Sequence, residues 1–347
     1  MNNTTNNILF IFLLILIFYL MSVLSSILIP LVLAFLFASL FQPLIRFLKR
    51  IQLPQWLILP TIAIITLGII FSMSLIIIQT ISDIISQKDF LVEMLSKKAM
   101  AMALWAKDIA GTYFKIEIND QTISSIFSAN FVSSLIGGFA QTISSFTSSF
   151  VMFALYYIVL LTGLSEYKPF LEYVGGKNGN TLMMHFEEVQ KSIIKYISTK
   201  TLLNLITGTL AGLICWIFGL KFAFFWGFLT FLLFFLPTIG SIIAPIFPLI
   251  MAIIQFDSLQ PVLFLLLSLA VIQAIIGNFI EPVIMGHSLR LNTLTVIFGL
   301  VFWGYLWGIA GMMLCVPLLV FFKLIFEQSP GLSYIARIMG VPEEKKN

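Results

Sequence analysis

Apolar runs dominate this chain, and charge is confined to the gaps between them. No Asp, Glu, Lys or Arg occurs in residues 1–45, 51–82, 121–165, 201–220, 222–256, 258–280 or 291–322. A bilayer crossing takes about 20 mostly apolar residues, and every one of these stretches is long enough. The pattern predicts spans over about 8–25, 29–48, 57–80, 146–164, 201–219 and 259–280. Ser25, Ser26 and Pro30 divide the first run into two spans, because proline has no backbone N–H to give a helix interior. Two further stretches, 222–256 and 291–322, are too long for a simple crossing, and each is interrupted in its middle. The predicted fold is an all-α polytopic integral membrane protein of about eight transmembrane segments. Its broken or re-entrant elements fall around Pro237–Gly240 and Gly308–Gly311.

The two interrupted stretches resemble each other. Gly227 and Gly240 lie 13 residues apart, Gly299 and Gly311 lie 12 apart, and Pro245 and Pro317 follow at similar distances. A span precedes each stretch. This reads as a degenerate repeat of span plus broken element. Two topologies fit: each stretch crosses once, kinked, or each is a hairpin that enters and leaves on one side. Hairpins place Asp257 outside and His287–Arg290 inside, whereas single crossings place Glu281–Arg290 outside.

Charge sets the orientation. Arg46, Lys49 and Arg50 mark a cytoplasmic end by the positive-inside rule, and both chain termini then read as cytoplasmic, in a bacterial inner membrane. Residues 1–82 form three N-terminal spans. Residues 83–145 form an extracytoplasmic helical segment, in which 83–120 hold five lysines against six acids. A fourth span covers 146–165. Residues 166–200 form a cytoplasmic region whose stripe of Leu182, Phe186, Val189, Ile193 and Ile197 predicts an amphipathic helix along the membrane surface. Residues 201–326 form a C-terminal transport core, and 327–347 a cytoplasmic tail. "GTLAG", from Gly208 to Gly212, offers a small-residue face for close helix packing.

Composition agrees with this picture. The chain is 60% hydrophobic and 10% charged, with a mean hydropathy of +1.06, against about 25% charged residues in soluble proteins. The net charge of +4 is too small to suggest a nucleic-acid partner. The two cysteines, Cys215 and Cys315, lie in apolar runs and read as packing residues.

Candidate chemistry follows from the interruptions. Broken backbone inside a membrane is tolerated only where protein, water or substrate satisfies it. Paired breaks in two halves of a transporter point to its binding site. Pro237, Thr238, Gly240 and Ser241 supply backbone groups and two hydroxyls, and Gly308 and Gly311 supply backbone alone. The stretch "GNFIEPVIMGHSLRLN" (277–292) gathers Asn278, Glu281 and Arg290 at the end of a span. Pro282 should end the preceding helix, and Gly286 allows a turn. Glu281 and Arg290 then suit a gate closed by pairing, or a proton carrier; the alternative is a solvated interfacial loop. Two separated histidines, His185 and His287, and the absence of a P-loop lysine leave no catalytic, metal or cofactor set to expect.

"KYISTKTLLNLITG", "LPTIG", "IGNFIEPVIMGHSLRLN" and "WGYLWGIAGMMLCVPL" together resemble the AI-2E family of bacterial permeases. The resemblance implies an inner-membrane protein, often a homo-oligomer, that exports small molecules such as autoinducer-2, a hydroxyl-rich signal. Members have also been associated with Na⁺/H⁺ antiport. A neutral polyol needs several donors and acceptors in an apolar cavity, which Asn204, Thr207, Thr238, Ser241, Gln273 and Asn278 can supply. A coupling Na⁺ would instead need oxygen ligands, with Glu281 or Asp257 as the carboxylate. The expected partners are thus a small polar substrate, the lipid bilayer and a coupling H⁺ or Na⁺. A passive pore or an oligomeric scaffold is the reading from another class.

Overall fold

The computed structural model describes residues 3–87, 93–94, 97–98, 151–161, 179–285, 291–328 and 331–340. Among these residues the chain is helical and has no strands, apart from one isolated bridge between Leu291 and Gly340. Five stretches are long and apolar enough to cross a membrane: Ser25–Arg50, Trp56–Thr80, Gln190–Ile217, Leu259–Ile284 and Thr293–Glu327. Large apolar side chains such as Phe12, Ile64, Val159 and Trp216 point outward, as expected where lipid is the solvent.

The N-terminal run does not turn back. Helix α1 (Asn3–Val23) continues into α2 (Ser25–Leu40), because Leu24 N–H bonds to Leu20 O at 2.8 Å and Leu28 N–H to Leu24 O at 2.9 Å. Pro30 lies inside α2. The serines and the proline therefore make no turn, and α1 and α2 form one bent rod. Helix α3 (Gln42–Arg50) follows, with Arg46, Lys49 and Arg50 exposed. Asn3 and this basic cluster thus lie at opposite ends of the rod, where the sequence pattern suggested one face for both. Helix α4 (Gln55–Ser86) returns antiparallel. It packs with α2 and with α5 (Val151–Leu161) through Ala34, Ala38, Ile58, Ile62, Phe153 and Tyr157. The alanines, one turn apart, let the helices approach closely, and Thr66 Oγ1 and Tyr157 OH pair at 2.7 Å within that packing.

Helix α6 (Gly179–Ile217) is the spine of the C-terminal half. It is unbroken over 39 residues, roughly 58 Å at 1.5 Å per residue. The predicted surface helix and the predicted span at 201–219 are therefore one element. The residues after it, α7 (Ala223–Leu233), α8 (Ile239–Ile243) and α9 (Ile246–Gln255), form the first interrupted stretch. Its two ends meet: Gln255 Nε2 donates to Gly219 O at 2.7 Å and Gln255 Oε1 accepts from Lys221 N–H at 2.8 Å. The stretch is a hairpin. Lys98 reaches this mouth, donating to Phe256 O and lying 3.4 Å from Asp257.

Helix α10 (Leu259–Ala274) runs antiparallel to α6, passes through a π-helical turn (Ile275–Ile280) and continues as α11 (Glu281–Met285). Helix α12 (Thr293–Gln328) then folds back on itself at Gly308 (φ 61°, ψ −143°). Cys315 Sγ approaches Val296 O at 3.7 Å, and the Trp303 and Phe322 rings stack at 5.9 Å. This second stretch is a hairpin too. The two mouths lie at opposite ends of the α6–α10 pair, as an inverted repeat requires. Helix α13 (Ser333–Met339) closes the second mouth: Asn292 Nδ2 donates to Ile338 O at 2.6 Å, and Asn292 N–H to Met339 O at 3.0 Å.

Candidate functional site

The site is built where the first hairpin tip meets α6 and packs beside the second. Glycines set how close the parts come. A methyl group on Gly208 would meet Gly227 O at 2.6 Å, and one on Gly227 would meet Gly212 Cα at 2.8 Å, so the "GTLAG" face carries the α6–α7 crossing. At the tips, a methyl on Gly240 would collide with the Leu233 carbonyl, and one on Gly311 with the Trp303 carbonyl. Gly240 and Gly311 therefore do the same work in the two hairpins, which supports the repeat read from their spacing. At the first tip Thr238 takes a strained φ of 59°. Its Oγ1 donates to Pro237 O at 2.7 Å, and Ser241 Oγ donates to Thr238 O at 2.9 Å. Thr238 is exposed, as is Gly308 at the second tip. Ile239, beside the first tip, packs against the cluster of Trp303 and Trp307 from the second hairpin. Trp307 Nε1 donates to Met21 O at 2.9 Å, tying the second tip to the N-terminal rod.

Two of the predicted polar residues hold this framework together. Asn204 is fully buried; in the amide orientation that satisfies its neighbours it donates to Lys200 O at 3.1 Å and accepts from Phe235 N–H at 3.2 Å. It pins the first tip to the spine. Thr207 is equally buried and donates to Leu203 O at 2.8 Å. Gln273 differs: it is buried, yet its Nε2 has no partner among the described residues. A buried unsatisfied amide of this kind costs about 1–3 kcal/mol.

Glu281 meets an unforeseen partner. Its Oε1 accepts from Lys200 Nζ at 2.5 Å, and the Lys200 side chain is only 6% exposed. Lys200 lies within α6 and not in a cytoplasmic loop. Its burial follows a stripe of Ile193, Ile197, Lys200, Asn204, Thr207, Ala211 and Cys215, spaced by threes and fours. Glu281 is aimed by the π turn. The buried residues of α10 run Val262, Leu265, Leu269, Gln273, Ile276 in steps of three and four. The next inward position in a continuing α-helix would be Ile280, which is exposed. The extra residue of the π turn presents Glu281 instead.

Pro282 does not end the helix. Glu281 keeps helical angles (φ −59°, ψ −49°) and α11 runs on to Met285. Proline is tolerated in the first turn of a helical segment, and here it stands second after the π turn. Asn278 is exposed within that turn. Gly286, His287 and Arg290 lie outside the described residues.

Comparison with known proteins follows the same lines. A family model described as "AI-2E family transporter" matches residues 8–331. The chain is 39% identical over 149 residues to "AI-2 transport protein TqsA" of Escherichia coli (strain K12), a match covering 43% of each chain. It is 29% identical over 248 residues to a Borreliella burgdorferi protein named for transport without a stated solute, covering 71% of this chain and 68% of that one. A similarly named Haemophilus influenzae protein is 35% identical over 162 residues, 47% of this chain and 46% of its own. The matched segments thus span less than half of the E. coli and H. influenzae proteins. With a match over nearly its whole length, the chain belongs to the AI-2E transporter family, whose members are membrane transporters and not enzymes.

Proposed function

We propose that this protein is a secondary transporter that exports a small polar metabolite across the bacterial inner membrane, with autoinducer-2 as the leading solute. One observation carries the reading: two hairpins enter from opposite ends of the α6–α10 pair, and their broken tips lie against common packing. Hairpin tips leave backbone groups for a solute at mid-depth. The groups for it are the Thr238 and Ser241 hydroxyl oxygens, the tip backbone at Gly308, and the Gln273 Nε2, which has no partner among the described residues. These suit a neutral, hydroxyl-rich molecule better than an anion, which would call for a free cation. The similarity to the E. coli protein named for AI-2 transport supports the same solute. The positive-inside rule supports a cytoplasmic side for Arg46, Lys49 and Arg50, and for the second hairpin mouth with them. Homo-oligomerisation, through the outward apolar faces, belongs to this proposal as well.

The test is autoinducer-2 accumulation in inverted vesicles, with and without imposed pH and Na⁺ gradients. Gradient-driven accumulation is expected. Gradient-independent equilibration would indicate a passive pore, cation exchange without solute movement would indicate an antiporter, and no flux of any kind would leave a scaffold.

A further inference from the structure

We propose that the Lys200–Glu281 pair is a proton-binding site from which Na⁺ is excluded, because the Lys200 ammonium already fills the place of a free cation. The proposal relies on the transport reading for its purpose, but not for its test. Glu281 is the acid that sequence reasoning offered to a coupling ion. In the structure its carboxylate is engaged at 2.5 Å by a tethered ammonium that is 6% exposed. A hard cation needs several oxygen ligands and would have to settle beside that positive charge. The other candidate acid, Asp257, is wholly exposed next to Lys98, at the far end of α10.

Among the described residues, the elements packed against the pair bring few titratable groups. Helix α2 and the first hairpin, from Phe222 to Phe256, carry no titratable side chain. Helix α6 contributes Tyr196, packed with Val316 and Val320, and α12 contributes the buried Cys315. Lys323, further along α12, is engaged by Glu327 at 3.4 Å. The pair is thus one carboxylate and one ammonium, with net charge zero.

A proton has a simple effect here. It binds a Glu281 carboxylate oxygen, forming an O–H bond, and the pair goes from zero to one positive charge. The buried ammonium then lacks its counter-charge, which is costly at low dielectric. The contact between α6 and α11 opens, and water reaches Lys200. Release of the same proton restores the pair. The π turn supports this role, since it delays the α10 register by one residue and so puts Glu281 rather than Ile280 opposite α6.

Thermal melting of the full-length protein in detergent micelles tests the proposal. Wild type should lose stability on acidification, and NaCl should match choline chloride at equal ionic strength. Glu281→Gln should lower the melting temperature and remove that part of the pH dependence, read as the difference between the two proteins' curves. Lys200→Gln should reverse the sign: a partly buried carboxylate without its ammonium gains from protonation, so acid should stabilise this variant. Specific stabilisation of wild type by Na⁺ over choline would overturn the proposal. So would a Glu281→Gln variant with wild-type pH dependence, or acid that destabilises Lys200→Gln as it does wild type. If neither variant folds, the wild-type comparison of Na⁺ with choline still decides. Failure of autoinducer-2 flux would count against the transport reading and leave these curves unchanged.

Discussion

Substitution of Gly308 separates a hairpin from a kinked span by the sign of its effect. A span continuous through position 308 would gain from Gly308→Ala, because alanine is favoured over glycine in a helix interior by about 1 kcal/mol. The structure predicts a loss. Gly308 has φ 61° and ψ −143°, at the border of a region essentially reserved for glycine, and holding another residue there costs about 1–3 kcal/mol. Packing adds nothing, since a methyl at Gly308 would find no atom within 4 Å. The cost should therefore be the same for Gly308→Ala and Gly308→Ser. The two readings differ by roughly 2–4 kcal/mol, and 1.4 kcal/mol is tenfold in an equilibrium constant. Unfolding in mixed micelles, followed by the fluorescence of the nearby Trp303 and Trp307, measures it. A neutral or stabilising Gly308→Ala would refute the fold-back at this residue.

Gly227→Val should cost about 3 kcal/mol or more by forcing α7 off α6, while Gly212→Ala, whose methyl would meet its nearest neighbour at 3.3 Å, should cost less than Gly208→Ala; the same unfolding curves check both. Gln255→Ala removes two hydrogen bonds at the first mouth and should cost about 1–3 kcal/mol, with faster hydrogen exchange at the Lys221 amide. Cysteines at positions 5 and 49 should label from opposite sides of the membrane, because α1 and α2 form one rod; labelling from one side would restore the two-span reading. Asn204→Leu should loosen the first tip, seen as faster exchange of the Phe235 amide.

Much of this architecture was legible in the residues. Charge-free lengths gave the spans at 57–80, 201–219 and 259–280, and Pro237, Gly240 and Gly308 gave the breaks, because proline and clustered glycine remove helical bonding and side-chain sterics together. Other features were hidden for identifiable reasons. Pro30 marked a turn by its chemistry, yet the helical bonds across Leu24 carried through. Hairpin or single crossing was undecidable, since the Gln255 clamp joins residues 36 apart and no local pattern encodes it. Lys200 was assigned to the cytoplasmic region 166–200 because charge normally marks the water side. The stripe from Ile193 to Cys215 runs straight through it, and that spacing was the available signal. The π turn left no trace in composition; only its effect on Ile280 and Glu281 reveals it.

That turn has a consequence for how the chain can vary. Which way Glu281 faces depends on a residue count and on no particular side chain between Ile275 and Ile280. Substitutions there leave the count intact, so the exposed positions at Asn278 and Phe279 are free to drift among residues that suit lipid or headgroups. Insertions and deletions are different. Loss of one residue from Ile275–Ile280 would let the π turn relax to an ordinary helical turn with Glu281 still inward, whereas gain of one residue before Ile280 would swing everything after it by about 100°. Lys200 would then face an isoleucine. Families of such chains should tolerate wide substitution across this segment, and where its length varies it should shorten by one residue with loss of the π turn and not lengthen.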